Sequence, residues 1–321
     1  MATHKPYSVV VVGAGRIGSK WDSPRSREVY THAHAFSTNP KTKLLAIVDL
    51  DDALGKREAK KWGVAHIKTL KEACAQKTPD IIVIATPDHT HAALLREAIS
   101  YKPKLIICEK PVVQSTKDIA GLKRLAVKVP VIVDMTQRFD AVVAKLQNDL
   151  RAGRYGKVLG ATALYTKGAL HNGSHVIDLA RFFFGEVKKV VPLHREQDWN
   201  GEPTVGAFVT LQRCPQLYVM AGHEEVYSNR EFDVFTEKKR FRLMQDGLLI
   251  LQQDVIPDPR FPEYKLLGEP RIMETKLKGA IKALSQHAVR VIEKKEKSRC
   301  TLLDGIKTVE ACSKLLEPIT M

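Results

Sequence analysis

Short apolar runs alternate with amphipathic stretches over the first third of the chain. The runs are rich in Val and Ile and have the length of buried strands, and the stretches between them have the apolar spacing of helices. The predicted strands are 8–12, 44–48, 81–85, 105–108 and 131–133. The predicted helices are 52–62, 70–75, 91–101 and 116–127. This alternation predicts a doubly wound α/β domain with a parallel sheet and crossover helices.

From about Gly156 the pattern changes to longer strand-like runs with few helices. The predicted strands are 158–166, 187–193, 204–212, 217–221, 231–235, 240–244 and 248–252, and the predicted helices are 173–184, 276–292 and 304–316. Tight connections at 213–216 and 245–247 suit antiparallel neighbours. We therefore expect a second, α+β domain with a large open antiparallel sheet, and a division into domains 1–128 and 129–321.

Composition narrows the class of protein further. The chain has 321 residues, 44% hydrophobic and 27% charged, which is enough apolar material for the cores of two domains. No apolar run approaches the roughly 18 residues of a membrane-spanning helix, and the first residues lack the zones of a signal peptide. We expect a cytoplasmic protein with no membrane partner. The five cysteines are scattered and never spaced as C-x-x-C, so we expect reduced thiols.

Basic residues outnumber acidic ones by 51 to 36, for a net charge of +15. Such a charge favours anionic partners through long-range attraction. Nucleic acid is not the expected partner, because the chain has no zinc-finger spacing, RNA-binding aromatic signature or basic arm. A phosphorylated small substrate agrees with the charge, and so does a solvated basic surface.

A glycine-rich turn follows the first predicted strand. Its residues Gly13, Gly15 and Gly18 have the spacing G-x-G-x-x-G. In this motif the first glycine permits a tight turn, the second admits a pyrophosphate to the backbone, and the third lets the helix pack against the strand. We therefore predict that the three glycines, with Arg16 and Ile17, contact a dinucleotide.

Asp49 ends the second predicted strand, where a carboxylate accepts hydrogen bonds from the adenosine ribose and repels a 2′-phosphate. Asp51 and Asp52 add negative charge, whereas Lys56 and Arg57 are nearby cations. NAD is therefore the predicted cofactor and NADP the less favoured one. The alternative role for Asp49 is that of a plain turn residue.

Asp49 lies about ten residues farther from the last glycine than the usual spacing of about 20. The extra length falls in residues 21–30, whose Pro, Ser and charged residues are typical of a loop. One hypothesis is a lid over the cofactor or substrate, with Arg25 or Arg27 meeting an anionic group. The other is an ordinary surface loop.

Further motifs support a family resemblance. Glu109-Lys110-Pro111 follows a predicted strand at the carboxyl edge of the parallel sheet, where such domains bind ligands. Thr86 opens a T-P-x-x-x-H segment, and 173–178 reads G-S-H-V-I-D. Together with the glycine turn, these motifs resemble those of the Gfo/Idh/MocA oxidoreductases, named after glucose–fructose oxidoreductase and inositol dehydrogenase. The resemblance covers roughly residues 8–185 and the last helix.

The resemblance implies a Rossmann domain followed by an open antiparallel sheet domain. It also implies hydride transfer between a nicotinamide and a hydroxyl carbon of a sugar or cyclitol. Lys110 then matches the catalytic lysine and His175 the catalytic histidine, while Thr86 and Pro87 match cofactor contacts. Glu109 and Lys110 are further candidate cofactor contacts.

The chain departs from the family at His171, four residues before His175, where the family commonly has Asp. An imidazole there replaces a carboxylate that would orient a substrate hydroxyl or tune the histidine. His171 is kept as a candidate catalytic residue, and the polar Asn172 beside it as a candidate substrate ligand.

Alcohol oxidation defines what these side chains must do. A base takes the hydroxyl proton while hydride leaves the same carbon, and the pKa of that base must lie near the working pH. Histidine meets this requirement directly, and lysine does when burial or a nearby positive charge destabilises its ammonium form. Either Lys110 or His175 can be the base. We favour His175 as the acid/base, Lys110 as the group that polarises the substrate oxygen, and Asp178 as the group that fixes the imidazole tautomer.

Arg138 and Lys167 are predicted to lie near the cleft and to bind a phosphate or carboxylate of the substrate, with a domain-interface salt bridge as the alternative role of each. His171 and His175 have the i,i+4 spacing of a zinc pair, but the glutamate of H-E-x-x-H is missing, so no metal is predicted. The histidine pairs 32/34 and 89/91 are expected to alternate in extended segments and to be structural.

The leading interpretation is an NAD-dependent dehydrogenase or reductase, and a homo-oligomer. Its expected substrate is a sugar, sugar phosphate, sugar nucleotide or cyclitol. Two alternatives stay open: a non-catalytic, NAD-dependent ligand-sensing regulator, which His171 favours, and a redox-neutral lyase or glycosidase that retains NAD.

Overall fold

The computed structural model describes residues 5–197 and 199–319, which divide into two compact units. Unit 1 runs to Phe139 and takes in Lys278–Lys307, whereas unit 2 contains Asp140–Leu277 and the chain from Thr308 onward. The division therefore falls after Phe139 and not near residue 128, and a later segment belongs to the first unit. The amphipathic pattern of 276–292 indicates a buried face but not which sheet covers it.

Unit 1 is built on a parallel sheet. Over the described residues its strands are β1 (Tyr7–Val12), β2 (Thr42–Val48), β3 (Ala65–Ile67), β4 (Ile81–Ile84), β5 (Leu105–Glu109) and β6 (Val131–Asp134). Its helices are α1 (His32–Thr38), α2 (Asp52–Trp62), α3 (Leu70–Cys74), α4 (His91–Ser100), α5 (Ile119–Leu125) and, from the returning segment, α8 (Ala280–Ile292). The strand order β3-β2-β1-β4-β5-β6 is that of the Rossmann fold, which confirms the predicted fold class.

The sequence pattern does not mark β3 or α1. β3 has three residues, and none of them is buried, so it has no apolar run to mark it. α1 carries His32 and His34 in its first turn, and therefore these histidines lie on a helix and not in the predicted extended segment. The central strands β4 and β5 are buried on both faces, which explains their continuous apolar sequences.

Unit 2 is built on a larger, mixed sheet. Its strands among the described residues are β7 (Val158–Tyr165), β8 (Val187–Glu196), β9 (Thr204–Leu211), β10 (Cys214–Ala221), β11 (Arg230–Thr236), β12 (Lys239–Met244), β13 (Leu249–Pro257), β14 (Lys265–Leu267) and β15 (Arg271–Glu274). Neighbours are antiparallel as predicted, except that β7 and β10 are parallel. The sequence pattern did not reveal this pair, because apolar alternation is the same in both directions of pairing.

The helices of unit 2 cover one face of this sheet. They are α6 (Ala141–Arg151), α7 (Gly173–Phe184) and the part of α9 (Leu302–Leu315) that follows Lys307. The core packs Phe183 and Phe184 against Phe232 of the sheet. On the other face Tyr218 and Met220 are exposed, so the sheet is open as predicted.

The helices and the cysteines bear on two predictions made from the composition of the chain. None of the helices in the described ranges has the length and apolar character that crossing a bilayer requires. The five cysteine side chains are buried, and no disulfide joins any two of them within the part of the chain that the structure describes.

Candidate functional site

The glycine turn lies at the carboxyl end of β1. Gly13 has φ +102°, and a Cβ there would lie 2.5 Å from the carbonyl oxygen of Ala85. A Cβ on Gly18 would lie 2.0 Å from the carbonyl oxygen of Gly13. Both positions therefore require glycine, one for the turn and one for the close approach of the following helical turn to the strand.

The packing around position 15 does not require glycine. Beyond its chain neighbours, no atom of the described residues lies within 4 Å of the position that a Gly15 Cβ would take. Its backbone is extended, with φ −68° and ψ −164°, and it precedes a single π-helical turn, Arg16–Lys20. The space beside Gly15 is therefore an open cradle, which a methyl group on residue 15 would fill. A pyrophosphate that binds to the backbone requires this space to be open.

Asp49 fastens the glycine turn to β2. One carboxylate oxygen accepts a hydrogen bond from the backbone N–H of Ala14 at 2.7 Å. The other accepts from the N–H of Asp51 at 2.9 Å. Asp49 is thus a turn residue, and each of its oxygens retains a lone pair for a hydroxyl donor. The turn role and the predicted ribose role are therefore compatible.

A pocket of about 580 Å³ opens at this edge of the sheet. It lies between the glycine turn, the end of β2 and the segment after β4, and its lining is mostly apolar. The residues that matter for a ligand are Gly15, Asp49, Leu54, Lys68, Thr86 and Pro87. An apolar slot with a carboxylate at its mouth has the composition that an adenosine group requires.

Thr86 and Pro87 are held by the start of α4. The Thr86 and Thr90 hydroxyls lie 2.6 Å apart, and the Thr90 hydroxyl donates to the Pro87 carbonyl at 2.7 Å. The buried His91 places its two ring nitrogens 2.8 Å from the Thr86 carbonyl oxygen and 2.7 Å from that of Pro111. His91 therefore ties the segment after β4 to the segment after β5, in agreement with its expected structural role.

Glu109 and Lys110 lie at the end of β5, as predicted. Lys110 is half-buried, and the peptide bond between Lys110 and Pro111 is cis. Glu109 lies 2.9 Å from Nε2 of His32, a residue of α1. Burial raises the pKa of the Glu109 carboxyl, but the hydrogen bond with His32 and the charges of His32, Lys110 and His91 outweigh burial and lower it below its usual value.

His171 and His175 lie at the entrance to α7 in unit 2. A π-helical turn, Gly168–Asn172, precedes the helix, and both imidazole-bearing residues are half-buried. Glu202 accepts hydrogen bonds from the backbone N–H groups of Leu170 and His171, at 2.5 and 3.1 Å. Glu202 is a positioning residue that sequence reasoning missed, because only the tertiary fold brings it to this turn.

Asp178 and Asn172 are buried in the same unit. The Asp178 carboxylate accepts a hydrogen bond from the Thr308 hydroxyl at 3.1 Å and lies 3.8 Å from the Arg181 guanidinium. Arg181 also donates to Thr308 at 2.7 Å. These contacts give Asp178 a structural role within unit 2, while its effect on the His175 tautomer stays a prediction.

The two predicted anion ligands each have a partner within their own unit. Arg138 is buried and donates to the Arg299 carbonyl at 2.9 Å. Lys167 forms an ion pair with Glu224 at 2.8 Å, in a left-handed backbone conformation with φ 66°. Arg138 is therefore occupied inside unit 1, and Lys167 is the more accessible of the two cations.

The loop at residues 21–30 is irregular, as predicted, and the buried Asp22 closes it. Its carboxylate accepts from the backbone N–H groups of Tyr30 and Thr31, at 2.6 and 3.1 Å, and from the Thr31 hydroxyl at 2.5 Å. His34 lies 2.9 Å from the same carboxylate, in a structural role as expected. Arg25 and Arg27 are exposed, and their role in a lid stays a prediction.

Comparison with known proteins agrees with this site. Residues 7–137 match the sequence model of the GFO_IDH_MocA oxidoreductase family, described as an NAD-binding Rossmann fold. The match covers 131 of the 321 residues, and this segment is similar to the NAD-binding Rossmann domain of that family.

A curated relative is the inositol 2-dehydrogenase of Rhizobium meliloti, 29% identical over 192 residues, which is 55% of this chain and 54% of the relative. The matched region thus spans about half the length of that relative.

Two solved structures have the same fold over nearly the whole chain. Scyllo-inositol dehydrogenase from Lactobacillus casei, with NAD(H) and scyllo-inositol, has a TM-score of 0.73 at 17% identity and covers 97% of this chain and 96% of its own. The WlbA dehydrogenase from Bordetella pertussis, with NADH and UDP-GlcNAcA, has a TM-score of 0.74 at 16% identity, with 97% and 96% covered.

Proposed function

We propose that this chain is an NAD-dependent oxidoreductase that transfers hydride between nicotinamide and a hydroxyl-bearing carbon. The observation that carries the proposal is the open backbone at Gly15, which lies beside the Asp49 carboxylate at an apolar pocket. The inositol dehydrogenases and the WlbA dehydrogenase solved with UDP-GlcNAcA, which are among the similar proteins, support a cyclitol, sugar or sugar-nucleotide substrate. A sugar phosphate agrees with the net charge of +15.

The proposed roles follow from the chemistry of each side chain. Bound NAD would supply the hydride acceptor at its nicotinamide ring. The glycine turn would hold the pyrophosphate, Asp49 would accept from the ribose hydroxyls, and the segment of Thr86 and Pro87 would border the cofactor. Lys110 would polarise the substrate oxygen and His175 would take its proton. Lys167 and Asn172 remain candidate substrate ligands.

The test begins with a screen of NAD reduction against inositols, sugars, sugar phosphates and sugar nucleotides. With the substrate found, Lys110→Ala and His175→Ala should each reduce kcat at least about 1,000-fold, because each removes a group that acts on the reacting oxygen. Their Kd for NADH, measured by fluorescence, should stay within about threefold, as hydrogen bonds elsewhere hold the cofactor. Lys104→Ala is the matched control, since Lys104 pairs with Asp80 before β5. Full activity in both variants would reject the assignment.

A second candidate function is a ligand-sensing regulator that binds NAD without turnover. His171, in place of the family's usual Asp, favours it, because an imidazole does not supply the negative charge of a carboxylate. If the wild-type protein binds both NAD and a polyol but forms no NADH, and His171→Asp forms NADH, the regulator is supported. Turnover by the wild-type protein rejects it. An NAD-retaining lyase or glycosidase would instead convert its substrate with no net NADH.

Cytoplasmic location and homo-oligomeric assembly are part of the proposal. Cell fractionation tests the first, and light scattering coupled to size-exclusion chromatography tests the second. A monomer by light scattering would contradict the assembly without affecting the proposed chemistry.

A further inference from the structure

Three ionisable side chains meet in the interior of unit 1. His32 begins α1, while Glu109 and Asp134 end the neighbouring strands β5 and β6 and lie opposite each other in register. Nε2 of His32 lies 2.9 Å from Glu109 and 3.6 Å from Asp134. One ligand-type atom from each of the three residues lies within 4.8 Å of the others. These three residues form the β5–β6 cluster.

The β5–β6 cluster is short of hydrogen-bond partners. The side chains of His32 and Asp134 are 0% and 1% exposed. Within the described residues, no hydrogen bond of good geometry reaches Nδ1 of His32 or either oxygen of Asp134, and the Asp134 carboxyl interacts with the side chains of Thr136 and Glu109. A buried carboxylate in this position is costly when it is ionised and much less so when it is protonated. The arrangement therefore favours a mobile proton that the side chains of the cluster share.

Electrostatic interactions bring the pKa of Asp134 close to neutral pH. Burial, and after it the negative charge of Glu109, raises the pKa of Asp134 to about 7, although His32 opposes the shift. Burial alone would lower the pKa of His32, but the hydrogen bond to Glu109 and the two carboxylate charges raise it above its usual value. The cluster thus changes its net charge close to pH 7, where Asp134 gains or loses its proton.

Lys110 acts on this cluster through Glu109, whose carboxylate accepts a hydrogen bond from the Lys110 backbone N–H at 3.3 Å. It follows Glu109 in the chain, and its positive charge helps to lower the Glu109 pKa. The other charged group acting on Glu109 from outside the cluster is His91 of α4, and the Cys108 thiol donates to the Glu109 carbonyl at 3.3 Å. Lys110 is the member of this set that the proposed function places at the substrate.

We infer that His32, Glu109 and Asp134 act as a proton-holding cluster that sets the charge state of the Lys110 amine. With Asp134 protonated, the cluster is neutral, because the imidazolium balances the Glu109 carboxylate. When Asp134 loses its proton to solvent, the cluster carries one negative charge, which stabilises the ammonium form of Lys110. His32 and Asp134 are therefore positioning residues. The meaning of this coupling for turnover rests on the proposed function, whereas the coupling itself does not.

The test measures the titration of Lys110 directly. The protein without added substrate is labelled with acetic anhydride at a series of pH values, and peptide mass spectrometry follows acetylation of Lys110. Asp134→Asn removes the negative charge and should lower the midpoint by about one pH unit. His32→Gln removes the balancing positive charge and should raise it by about the same amount. Glu109→Gln should lower it, so that the test does not depend on His32→Gln folding.

The opposite directions separate the inference from a purely structural role. Asp80→Asn is the matched control, because Asp80 is a part-buried carboxylate that accepts from Ser8 and pairs with Lys104. It should leave the Lys110 midpoint unchanged. Shifts in the same direction for Asp134→Asn and His32→Gln, or no shift in either, would overturn the inference. A stoichiometric metal ion on the purified protein that these substitutions remove would also overturn it.

The labelling needs neither NAD nor a substrate, so its result is independent of the proposed function. If the midpoints shift as expected while no compound reduces NAD, the charge coupling stands and the proposed function fails. If Lys110→Ala abolishes turnover while the midpoints do not move, the proposed function stands and the inference fails.

Discussion

The carboxyl edge of the unit 1 sheet has two halves that use acidic residues differently. Asp49 and Asp134 each come at the end of a Val- and Ile-containing strand, so their sequence contexts are alike. Asp49 is half-buried, and both of its oxygens accept backbone N–H groups. Asp134 is buried, and among the described residues its oxygens accept no backbone N–H group.

Asp49 therefore acts by fixing the conformation of the glycine turn, whereas Asp134 acts through its charge. The bonds of Asp49 hold the glycine turn in one conformation, and the proposed function assigns this turn to pyrophosphate binding. Asp134 accepts no backbone N–H group among the described residues, and its pKa of about 7 lets it gain or lose a proton near neutral pH. The β1–β2 half is therefore a rigid binding surface, and the β5–β6 half is an adjustable electrostatic one. Substitutions that change volume should affect the first, and substitutions that change charge should affect the second.

The largest effect is expected from added volume in the β1–β2 half. Gly13→Ala should lower the free energy of unfolding by about 3 kcal/mol or more, because its Cβ would meet the Ala85 carbonyl in a conformation unfavourable to alanine. Gly15→Ala should change it by less than about 0.5 kcal/mol. The same Gly15→Ala should weaken NAD binding at least about tenfold, since the methyl group fills the cradle. Urea unfolding and calorimetric titration measure the two effects. Equal destabilisation by both substitutions would contradict the proposed division of roles.

A smaller effect, dependent on pH, is expected from Asp134→Asn. The folded-state pKa of Asp134 is raised from 3.8 to about 7, so the folded state binds the extra proton between these values. The stability that this proton provides is fully present below about pH 4 and is lost as pH rises through 7. Asp134→Asn has no such pH-dependent loss, and the variant should gain roughly 3 kcal/mol of stability relative to the wild type between pH 5 and pH 8.5.

Urea unfolding at several pH values checks this prediction. Asp80→Asn is a suitable control, because the pKa of Asp80 is lowered from 3.8 and the group stays ionised over this range. The offset between Asp80→Asn and wild type should therefore be constant with pH. Parallel stability curves for wild type and Asp134→Asn would remove the charge-based role of the β5–β6 half.

The same comparison explains what the sequence alone could predict. The apolar strands, the glycine turn and the strand-end position of Asp49 and Lys110 all follow from local pattern and from the rule that ligands bind at the carboxyl edge. The contact of His32 with Glu109 spans 77 residues and depends on the packing of a helix that the sequence did not mark. The acidic ends of β5 and β6 were visible in sequence, but their register and burial are properties of the assembled sheet.

In unit 2, contacts between distant parts of the chain again limit what the sequence can predict. The helix 173–184, which carries His175, has the boundaries that the sequence predicts, because an amphipathic pattern and flanking glycines mark it. The contacts of Glu202 with the His171 backbone and of Asp178 with Thr308 join distant parts of the chain. Local pattern therefore located the candidate catalytic side chains but not the groups that position them.

The smallest effect is expected from Asp49→Asn, which tests whether this acid also selects the cofactor. An amide oxygen can replace one carboxylate oxygen as acceptor but not both, so one backbone bond is lost and stability should fall by about 1 kcal/mol. Loss of the negative charge should reduce the ratio of NADP Kd to NAD Kd by about tenfold, because a 2′-phosphate is no longer repelled. Asp118→Asn removes an acid of the same type that pairs with Arg96, and it should leave the ratio unchanged. An unchanged ratio in Asp49→Asn would limit Asp49 to holding the glycine turn, and the preference for NAD would then need another cause.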